Sequence, residues 1–191
     1  AEWFLNIGKP NNGGTKCFSV SGHVKKPGNF EIPLGTPFKT LLKMAGGVSG
    51  GRALKAVIPG GSSMKVLPAE MIMSLDMDYD SLQKAGSGLG SGAVIVMDET
   101  TCMVNTLYRI TEFYKEESCG QCTPCREGTG WMTHLLHRMV HRKASRADLE
   151  KLVQVANNIE GRTICALGEA AAWPVQSFVK HFYHEFEQCC C

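Results

Sequence analysis

Apolar side chains in the second half of the chain recur every three or four residues, which is the period of an α-helix. Four such stripes follow one another between residues 101 and 188, separated by short polar or glycine-containing segments. The stripes include Val104, Leu107, Tyr114, Met132, Leu136, Leu149, Leu152, Phe178 and Phe182. Consecutive amphipathic helices with short connections predict an all-α four-helix bundle over residues 101–188.

The first half of the chain alternates short apolar runs with glycine-rich turns, a pattern typical of strands. After an extended lead-in at residues 1–14, we expect strands at residues 15–20, 30–32, 56–58 and 93–97. Thr36 and Pro37 are placed to open a helix as its N-cap and first residue. Two hairpin strands, a helix and later strands predict a small β-grasp domain over residues 15–100. The whole chain is therefore expected to have an α+β fold, ending in a tail at residues 189–191.

Composition excludes several classes of function. The chain has 191 residues, 43% of them hydrophobic, and its formal net charge is only +2. A nucleic-acid-binding domain would carry a strongly basic patch, so we expect no nucleic-acid partner. No apolar run approaches the roughly 20 residues that a membrane-spanning helix needs. The first residues lack the basic and apolar segments of a secretory signal, so we expect neither a membrane span nor export.

Nine cysteines are an unusual number, and their spacing indicates a metal site. Cys119, Cys122 and Cys125 form a C-x-x-C-x-x-C run, and Cys165 is a distant fourth thiol. Four-cysteine zinc sites usually consist of two C-x-x-C pairs, whereas three adjacent thiols and one remote thiol suit a [4Fe–4S] cluster better. Zinc and unliganded thiols remain open alternatives. A disulfide framework is not expected, because such frameworks are typical of small secreted domains.

The segment around the three adjacent cysteines has the features of a loop that wraps a cluster. Gly120 and Pro124 interrupt regular structure, and Pro124 disfavours helix before Cys125. A helix that begins directly after Cys125 would point its free N–H groups and positive dipole end at the sulfurs. Arg126 is placed either to add positive charge or to form an outward salt bridge.

Five segments carry a resemblance to a known family. They read ESCGQCTPCREG at residues 117–128, IEGRTICALGEAAAWPV at 159–175, GTK at 14–16, SGHV at 21–24 and AVIPGGSS at 56–63. Together they resemble the C-terminal portion of the NADH-binding flavoprotein subunit of respiratory complex I, NADH:quinone oxidoreductase. The first two resemble its cluster-binding segments, and the others its soluble-ligand-binding β-grasp (SLBB) domain. Related diaphorase subunits of NAD-linked hydrogenases and formate dehydrogenases share this plan and stay open.

The resemblance implies an electron-transfer function. In the parent protein a hydride passes from NADH to FMN, and single electrons pass through a [4Fe–4S] cluster to the next iron–sulfur subunit. The implied cluster ligands are Cys119, Cys122, Cys125 and Cys165. Nothing here resembles the family's glycine-rich GRGGAGFP-type flavin loop, so we expect no FMN or NAD site in these residues and no NADH oxidation by this portion alone.

The resemblance also implies neighbours for this portion. Ala166, Leu167 and Gly168 follow the fourth cysteine, where the family's chain lines a wall beside the flavin. The expected partners are other iron–sulfur subunits of the complex I peripheral arm. The expected location is the cytoplasmic side of the bacterial inner membrane, or the mitochondrial matrix side, with peripheral attachment through the complex. The competing hypothesis is a structural module in which a metal such as zinc only clamps the helices.

Several other residues favour structural roles. Trp131 and Trp173 are expected to anchor the helical core, and three histidines to lie on its solvent face. Three alternating aspartates suggest a solvated connection rather than a cation loop, and Cys17 and Cys102 are expected to be inert. The chain ends in three cysteines for which a frayed tail with reactive thiols is expected. The histidines are His134, His137 and His141, and the aspartates are Asp76, Asp78 and Asp80. The terminal cysteines are Cys189, Cys190 and Cys191.

Overall fold

The structure is a computed structural model that describes residues 1–190. It divides into two compact units, Ala1–Thr101 and a second unit that begins at Cys102. The first contains a mixed sheet with short helices, and the second contains four long helices. The predicted α+β fold class is therefore confirmed. No helix in the described part of the chain is both long and apolar enough to cross a membrane.

The first unit is built on a five-stranded sheet. Its strands are β3 (Thr15–Gly22), β4 (Gly28–Pro33), β6 (Leu54–Ile58), β7 (Leu67–Pro68) and β9 (Ala93–Asp98). They lie in the order β4–β3–β9–β6–β7, with β3 parallel to β9 and the other neighbours antiparallel. Three short helices accompany them: α2 (Phe38–Met44), α3 (Ala69–Ile72) and α4 (Tyr79–Lys84). Phe18, Phe38, Leu41, Val57 and Val94 are nearly inaccessible and form its core.

Two local predictions in this unit are wrong. The expected extended lead-in contains helix α1 (Glu2–Leu5) and a hairpin of β1 (Gly8–Lys9) and β2 (Asn12–Gly13). Helix α2 takes Pro37 as its N-cap instead of Thr36, whose hydroxyl donates to the Pro33 carbonyl at 2.7 Å. Thr36–Pro37 forms strand β5, which pairs with β8 (Asp76–Met77). Such two-residue pairings depend on distant partners, which no local pattern announces.

The aspartates at residues 76–80 are a solvated connection only in part, because Asp80 is exposed but Asp76 is half-buried and Asp78 is buried. The Asp78 side chain is 1% exposed and accepts hydrogen bonds from the Ser81 backbone N–H at 2.7 Å and from Lys9 Nζ at 3.1 Å. Burial alone would raise the Asp78 pKa, but the Ser81 and Lys9 hydrogen bonds lower it overall. Asp76 pairs with Lys9, and Asp80 accepts from Asn12 at 2.9 Å. The three carboxylates thus fasten the N-terminal hairpin to β8 and α4.

The second unit consists of four helices in chain order. They are α5 (Met103–Glu117), α6 (Thr123–Val140), α7 (Arg146–Ile159) and α8 (Leu167–Glu187). Each packs against the next, and α5 also packs against α8. A capping box starts α7: the Ser145 hydroxyl accepts from the Asp148 N–H, and the Asp148 carboxylate accepts from the Ser145 N–H. Met103, Leu107, Met132, Leu136, Leu149, Leu152, Phe178 and Phe186 are among its buried side chains.

The prediction for Trp131 is wrong, and the one for Trp173 holds only in part. Trp131 is 60% exposed, because it lies at the edge of the apolar stripe of α6 and turns outward. Trp173 is half-buried, and its indole N–H donates to Glu160 Oε1 at 2.6 Å. The three histidines of α6 and its C-cap are exposed as expected, and the rings of His137 and His141 lie 4.2 Å apart.

The C-terminal cysteines differ from a frayed end as far as the structure describes them. Cys189 and Cys190 are half-buried, and Cys190 Sγ donates to the Phe186 carbonyl at 3.3 Å. Cys190 also forms a backbone bridge with Ala144. Burial raises the pKa of the Cys189 thiol, with a further contribution from the negative charge that Cys102 would carry. Cys191 lies outside the described residues.

Candidate metal centre

The three adjacent cysteines lie where α5 gives way to α6. Helix α5 ends at Glu117, and Ser118 follows as its C-cap in an extended conformation. Gly120 has a φ of +76°, a left-handed conformation that favours glycine and turns the chain back. Cys122 is the N-cap of α6, and Cys125 lies in its first turn. The loop therefore presents its thiols at the N-terminus of a long helix.

The structure corrects where α6 begins. The sequence places the helix after Cys125, with Pro124 disfavouring an earlier start, but α6 begins at Thr123. Proline is tolerated in the first turn of a helix, because the N–H that it lacks would have no intrahelical partner there. The consequence is that Cys125 is held in regular backbone and is only 7% exposed. Cys122 is half-buried and Cys119 is exposed.

The segment that carries the fourth cysteine contacts the loop of the other three. After α7, Gly161 turns the chain with a φ of +71°. The Ile164 backbone N–H then donates to Cys122 Sγ at 3.3 Å, although the two residues are 42 positions apart. Cys165 follows Ile164 directly and is exposed. The connection between α7 and α8, which contains Cys165, therefore contacts the loop that holds the other three thiols.

Two hydrogen bonds and one ion pair fix the loops that carry these cysteines. Arg126 donates from Nη1 to the Gly120 carbonyl at 3.0 Å, which closes the first loop onto α6. Its Nε pairs with Glu127 at 2.8 Å, so the outward salt bridge is the alternative that the structure shows. In the second loop, the Thr163 hydroxyl donates to the Cys165 carbonyl at 2.8 Å.

The predicted wall residues lie at the start of α8. Ala166 is its exposed N-cap, Leu167 is half-buried and Gly168 is buried. A Cβ on Gly168 would lie 2.2 Å from Thr163 Oγ1 and 2.7 Å from Thr163 Cγ2. Within this structure, Gly168 leaves room for Thr163, and Thr163 in turn holds the carbonyl of Cys165.

The donor set and its surroundings suit an anionic iron–sulfur cluster. Cys125 lies in the first turn of α6, and Cys165 lies just before α8, so two helix N-termini are at the thiols. Such termini offer free N–H groups and a positive dipole end, which favour negative charge. Among residues 1–190, no three His, Cys, Asp or Glu side chains lie close enough together for a single metal ion. In a cubane each thiolate binds a different iron.

Sequence reasoning missed two groups that contact cysteine sulfurs at this site. The Ser118 hydroxyl lies 3.2 Å from Cys125 Sγ, and the Ile164 backbone N–H lies 3.3 Å from Cys122 Sγ. Ser118 directly precedes the first cysteine, and a hydroxyl beside a cysteine run is a signal that could have identified it. The Ile164 contact uses only backbone, so no residue type could have announced it.

Comparison with known proteins agrees with this geometry. Residues 105–189 match the NADH-ubiquinone oxidoreductase-F iron-sulfur binding region. The second unit is thus similar to this iron–sulfur family over most of its length. Residues 17–67 match the SLBB domain, so the resemblance seen in the sequence is confirmed in both units. The family also supports a [4Fe–4S] cluster as the cofactor of the region.

Similar proteins from bacteria are longer than this chain. The NADH-quinone oxidoreductase F subunit of Rickettsia bellii is 54% identical over 189 residues, which cover 98% of this chain and 45% of that protein. Its counterpart in Rickettsia felis is 54% identical over 190 residues, with the same shares of 98% and 45%. The chain thus spans about half the length of these relatives. An NAD⁺-reducing [NiFe]-hydrogenase in its H2-reduced state has a TM-score of 0.88 at 29% identity, covering 99% of this chain and 32% of that one.

Proposed function

We propose that this chain is the electron-transfer portion of an NADH:quinone oxidoreductase flavoprotein subunit. Cys119, Cys122, Cys125 and Cys165 would each donate a thiolate to one [4Fe–4S] cluster. The observation that carries the proposal is the 3.3 Å hydrogen bond from the Ile164 N–H to Cys122 Sγ, because it brings the Cys165 loop to the other three thiols. The iron–sulfur family match and the 54% identity to the Rickettsia oxidoreductase subunits support it.

When bound, the cluster supplies one-electron exchange at a potential set by its surroundings. The chain's own residues would determine that potential and hold the ligands. The N-termini of α6 and α8 favour the negative charge of the thiolates, and the Ile164 N–H donates to one of them. Burial of Cys125 limits water at that corner, whereas the exposed Cys119 and Cys165 lie toward the surface through which electrons would enter and leave.

The function of the parent protein is part of the same proposal. NADH would reduce FMN elsewhere in the longer chain, and this portion would pass single electrons to another iron–sulfur subunit of the peripheral arm. Ala166, Leu167 and Gly168 would lie beside the flavin. The complex would hold the protein on the cytoplasmic side of a bacterial inner membrane or on the mitochondrial matrix side. We further propose that the two units are domains, an SLBB-like β-grasp domain and a four-helix bundle.

A second candidate is a diaphorase subunit of an NAD-linked hydrogenase. The TM-score of 0.88 to an NAD⁺-reducing [NiFe]-hydrogenase favours it. Identity to that structure is 29%, however, against 54% to the quinone oxidoreductase relatives. The two candidates share the cluster and its ligands, and they differ in the subunit that accepts the electrons.

Metal analysis of the 191-residue chain tests the cluster assignment. After anaerobic reconstitution with iron and sulfide, we expect about four irons and four acid-labile sulfides per chain, and a broad visible absorption that dithionite bleaches. A colourless protein that takes up zinc instead would refute the proposal and favour a structural clamp.

Two cysteine variants test the ligand set. Cys165→Ser is expected to lose or damage the cluster, because it removes the only thiol on the second loop. Cys102→Ser is the matched control at the start of α5 and is expected to keep the full iron content. The reverse pattern would overturn the assignment of Cys165.

A further inference from the structure

The Ser118 hydroxyl contacts the sulfur of Cys125, a proposed cluster ligand seven residues further along the chain. It is the half-buried C-cap of α5, and its hydroxyl oxygen lies 3.2 Å from Cys125 Sγ. The same oxygen accepts a hydrogen bond from the Gly120 backbone N–H at 3.3 Å. Arg126 holds the Gly120 carbonyl, so the loop that positions the hydroxyl is itself tied to α6.

The direction of the Ser118–Cys125 hydrogen bond follows from the chemistry of a metal ligand. A cysteine that binds iron is a thiolate and has no proton to donate. The Gly120 N–H occupies one acceptor position of the Ser118 oxygen and leaves its proton available. In a loaded site, the Ser118 hydroxyl must therefore be the donor and Cys125 Sγ the acceptor.

Neighbouring hydroxyl groups have other partners. The Thr129 hydroxyl donates to the Cys125 carbonyl at 2.8 Å, and the Thr163 hydroxyl donates to the Cys165 carbonyl at 2.8 Å. Both stabilise backbone near a ligand, whereas Ser118 contacts a sulfur. Because Cys125 is only 7% exposed, water competes little for this sulfur, and the hydrogen bond acts in a low-dielectric setting.

We propose that Ser118 is a positioning residue that raises the reduction potential of the cluster by donating to Cys125 Sγ. The inference rests on the proposed function, since it assumes a cluster ligated by Cys125. A hydrogen bond to a ligand sulfur withdraws negative charge and favours the reduced cluster, which carries one more negative charge. Removing the bond should lower the potential without removing a ligand.

The test compares midpoint potentials of the reconstituted 191-residue chain with those of Ser118→Ala and Ser118→Thr. Alanine lacks the hydroxyl and threonine keeps it. We expect Ser118→Ala to retain four irons and to shift the reduction equilibrium by about tenfold toward the oxidised cluster, a change of about 59 mV for a one-electron couple. Ser118→Thr should recover most of this shift. Thr106→Ala is the control, because that hydroxyl donates to the Cys102 carbonyl at the other end of α5.

Iron content separates failure of this inference from failure of the proposed function. If the unmodified chain takes up no cluster, the proposed function fails and the inference fails with it. If all variants load fully and Ser118→Ala has the potential of the unmodified chain, only the inference is overturned. A second hydroxyl-free variant, Ser118→Gly, guards against a local packing defect. Loss of iron in both hydroxyl-free variants but not in Ser118→Thr would also overturn the tuning role, since the hydroxyl would then build the site.

Discussion

Replacing Gly168 with alanine should disturb the second cysteine loop without changing any ligand. The new Cβ would lie 2.2 Å from Thr163 Oγ1, 2.7 Å from Thr163 Cγ2 and 3.0 Å from Thr163 Cβ. Ordinary van der Waals contact begins near 3.4 Å, so Thr163 has to move by more than 1 Å or α8 has to shift. Because the Thr163 hydroxyl donates to the Cys165 carbonyl, either movement displaces Cys165.

The cost follows from overpacking at a buried helix start. Extra methyl groups in a packed site typically cost about 1–3 kcal/mol, and alanine regains at most about 1 kcal/mol of helix propensity over glycine. We therefore expect Gly168→Ala to lower the free energy of unfolding of the helical unit by about 1–2 kcal/mol. For a unit of this size, each kcal/mol corresponds to roughly 4–8 °C in Tm. We also expect the variant to hold less than half of the iron bound by the unmodified chain.

Thermal unfolding followed by circular dichroism, with iron analysis after reconstitution, measures both effects. Gly130→Ala is the matched control, because a Cβ there meets no atom within 4 Å and the change should stabilise α6 slightly. Thr163→Ala combined with Gly168→Ala removes the two closest atoms, so the double variant should be more stable than Gly168→Ala alone. The reasoning is refuted if Gly168→Ala matches the unmodified chain in Tm and in iron.

Three further substitutions test the Ile164 hydrogen bond, the cap of α7 and the Asp98 carboxylate. Ile164→Pro removes the N–H that donates to Cys122 Sγ and should lower the reduction potential of the cluster. Ile164→Ala keeps that N–H and should leave the potential unchanged. Equal potentials in the two variants would contradict a role for this hydrogen bond. Ser145→Ala should cost about 1 kcal/mol in urea unfolding by removing the α7 cap, and an unchanged midpoint would count against it. Hydrogen bonds from Thr100, then Arg52, lower the Asp98 pKa from 3.8 to about 2. The ionised Asp98 carboxylate therefore contributes fully to the free energy of unfolding above pH 3.8, and this contribution is lost as the pH falls through 2. Asp98→Asn should therefore flatten the Tm–pH curve between pH 5 and 2, and parallel curves for the two proteins would exclude this role.

The helical half was the easier part to predict from sequence. Its apolar stripes repeat at the helical period over several turns each, which is a strong signal for a helix. Helices α5, α6 and α7 follow in the expected order. Proline is frequent at the first position of a helix, so Pro174 by itself predicts a helix start, but α8 begins at Leu167. The residues between them are rich in alanine and glycine, which carry little periodic signal. Trp131 shows a second limit, because hydrophobicity alone does not say whether a residue at the edge of a stripe is buried.

The sequence predicts the candidate thiol ligands of the site but not the groups that donate hydrogen bonds to them or position them. Cysteine spacing pointed to four candidate ligands, since their residue type is itself the chemistry. Ser118 and the Ile164 N–H depend on how two loops meet, which only the three-dimensional arrangement determines. The burial of Asp78 could not be predicted for a similar reason, because its partner Lys9 belongs to a distant hairpin.

The N-terminus of α5 lies beside the C-terminal part of α8, because the Met103 N–H donates to Glu185 Oε2 at 3.1 Å. Entry and exit points of the helical region therefore lie side by side, an arrangement that tolerates insertion into a host and circular permutation. A protein engineer could splice residues 102–188 into a surface turn of an unrelated scaffold using short linkers. The same adjacency would let residues 102 and 188 be joined and new termini be opened between α6 and α7, away from both cysteine loops.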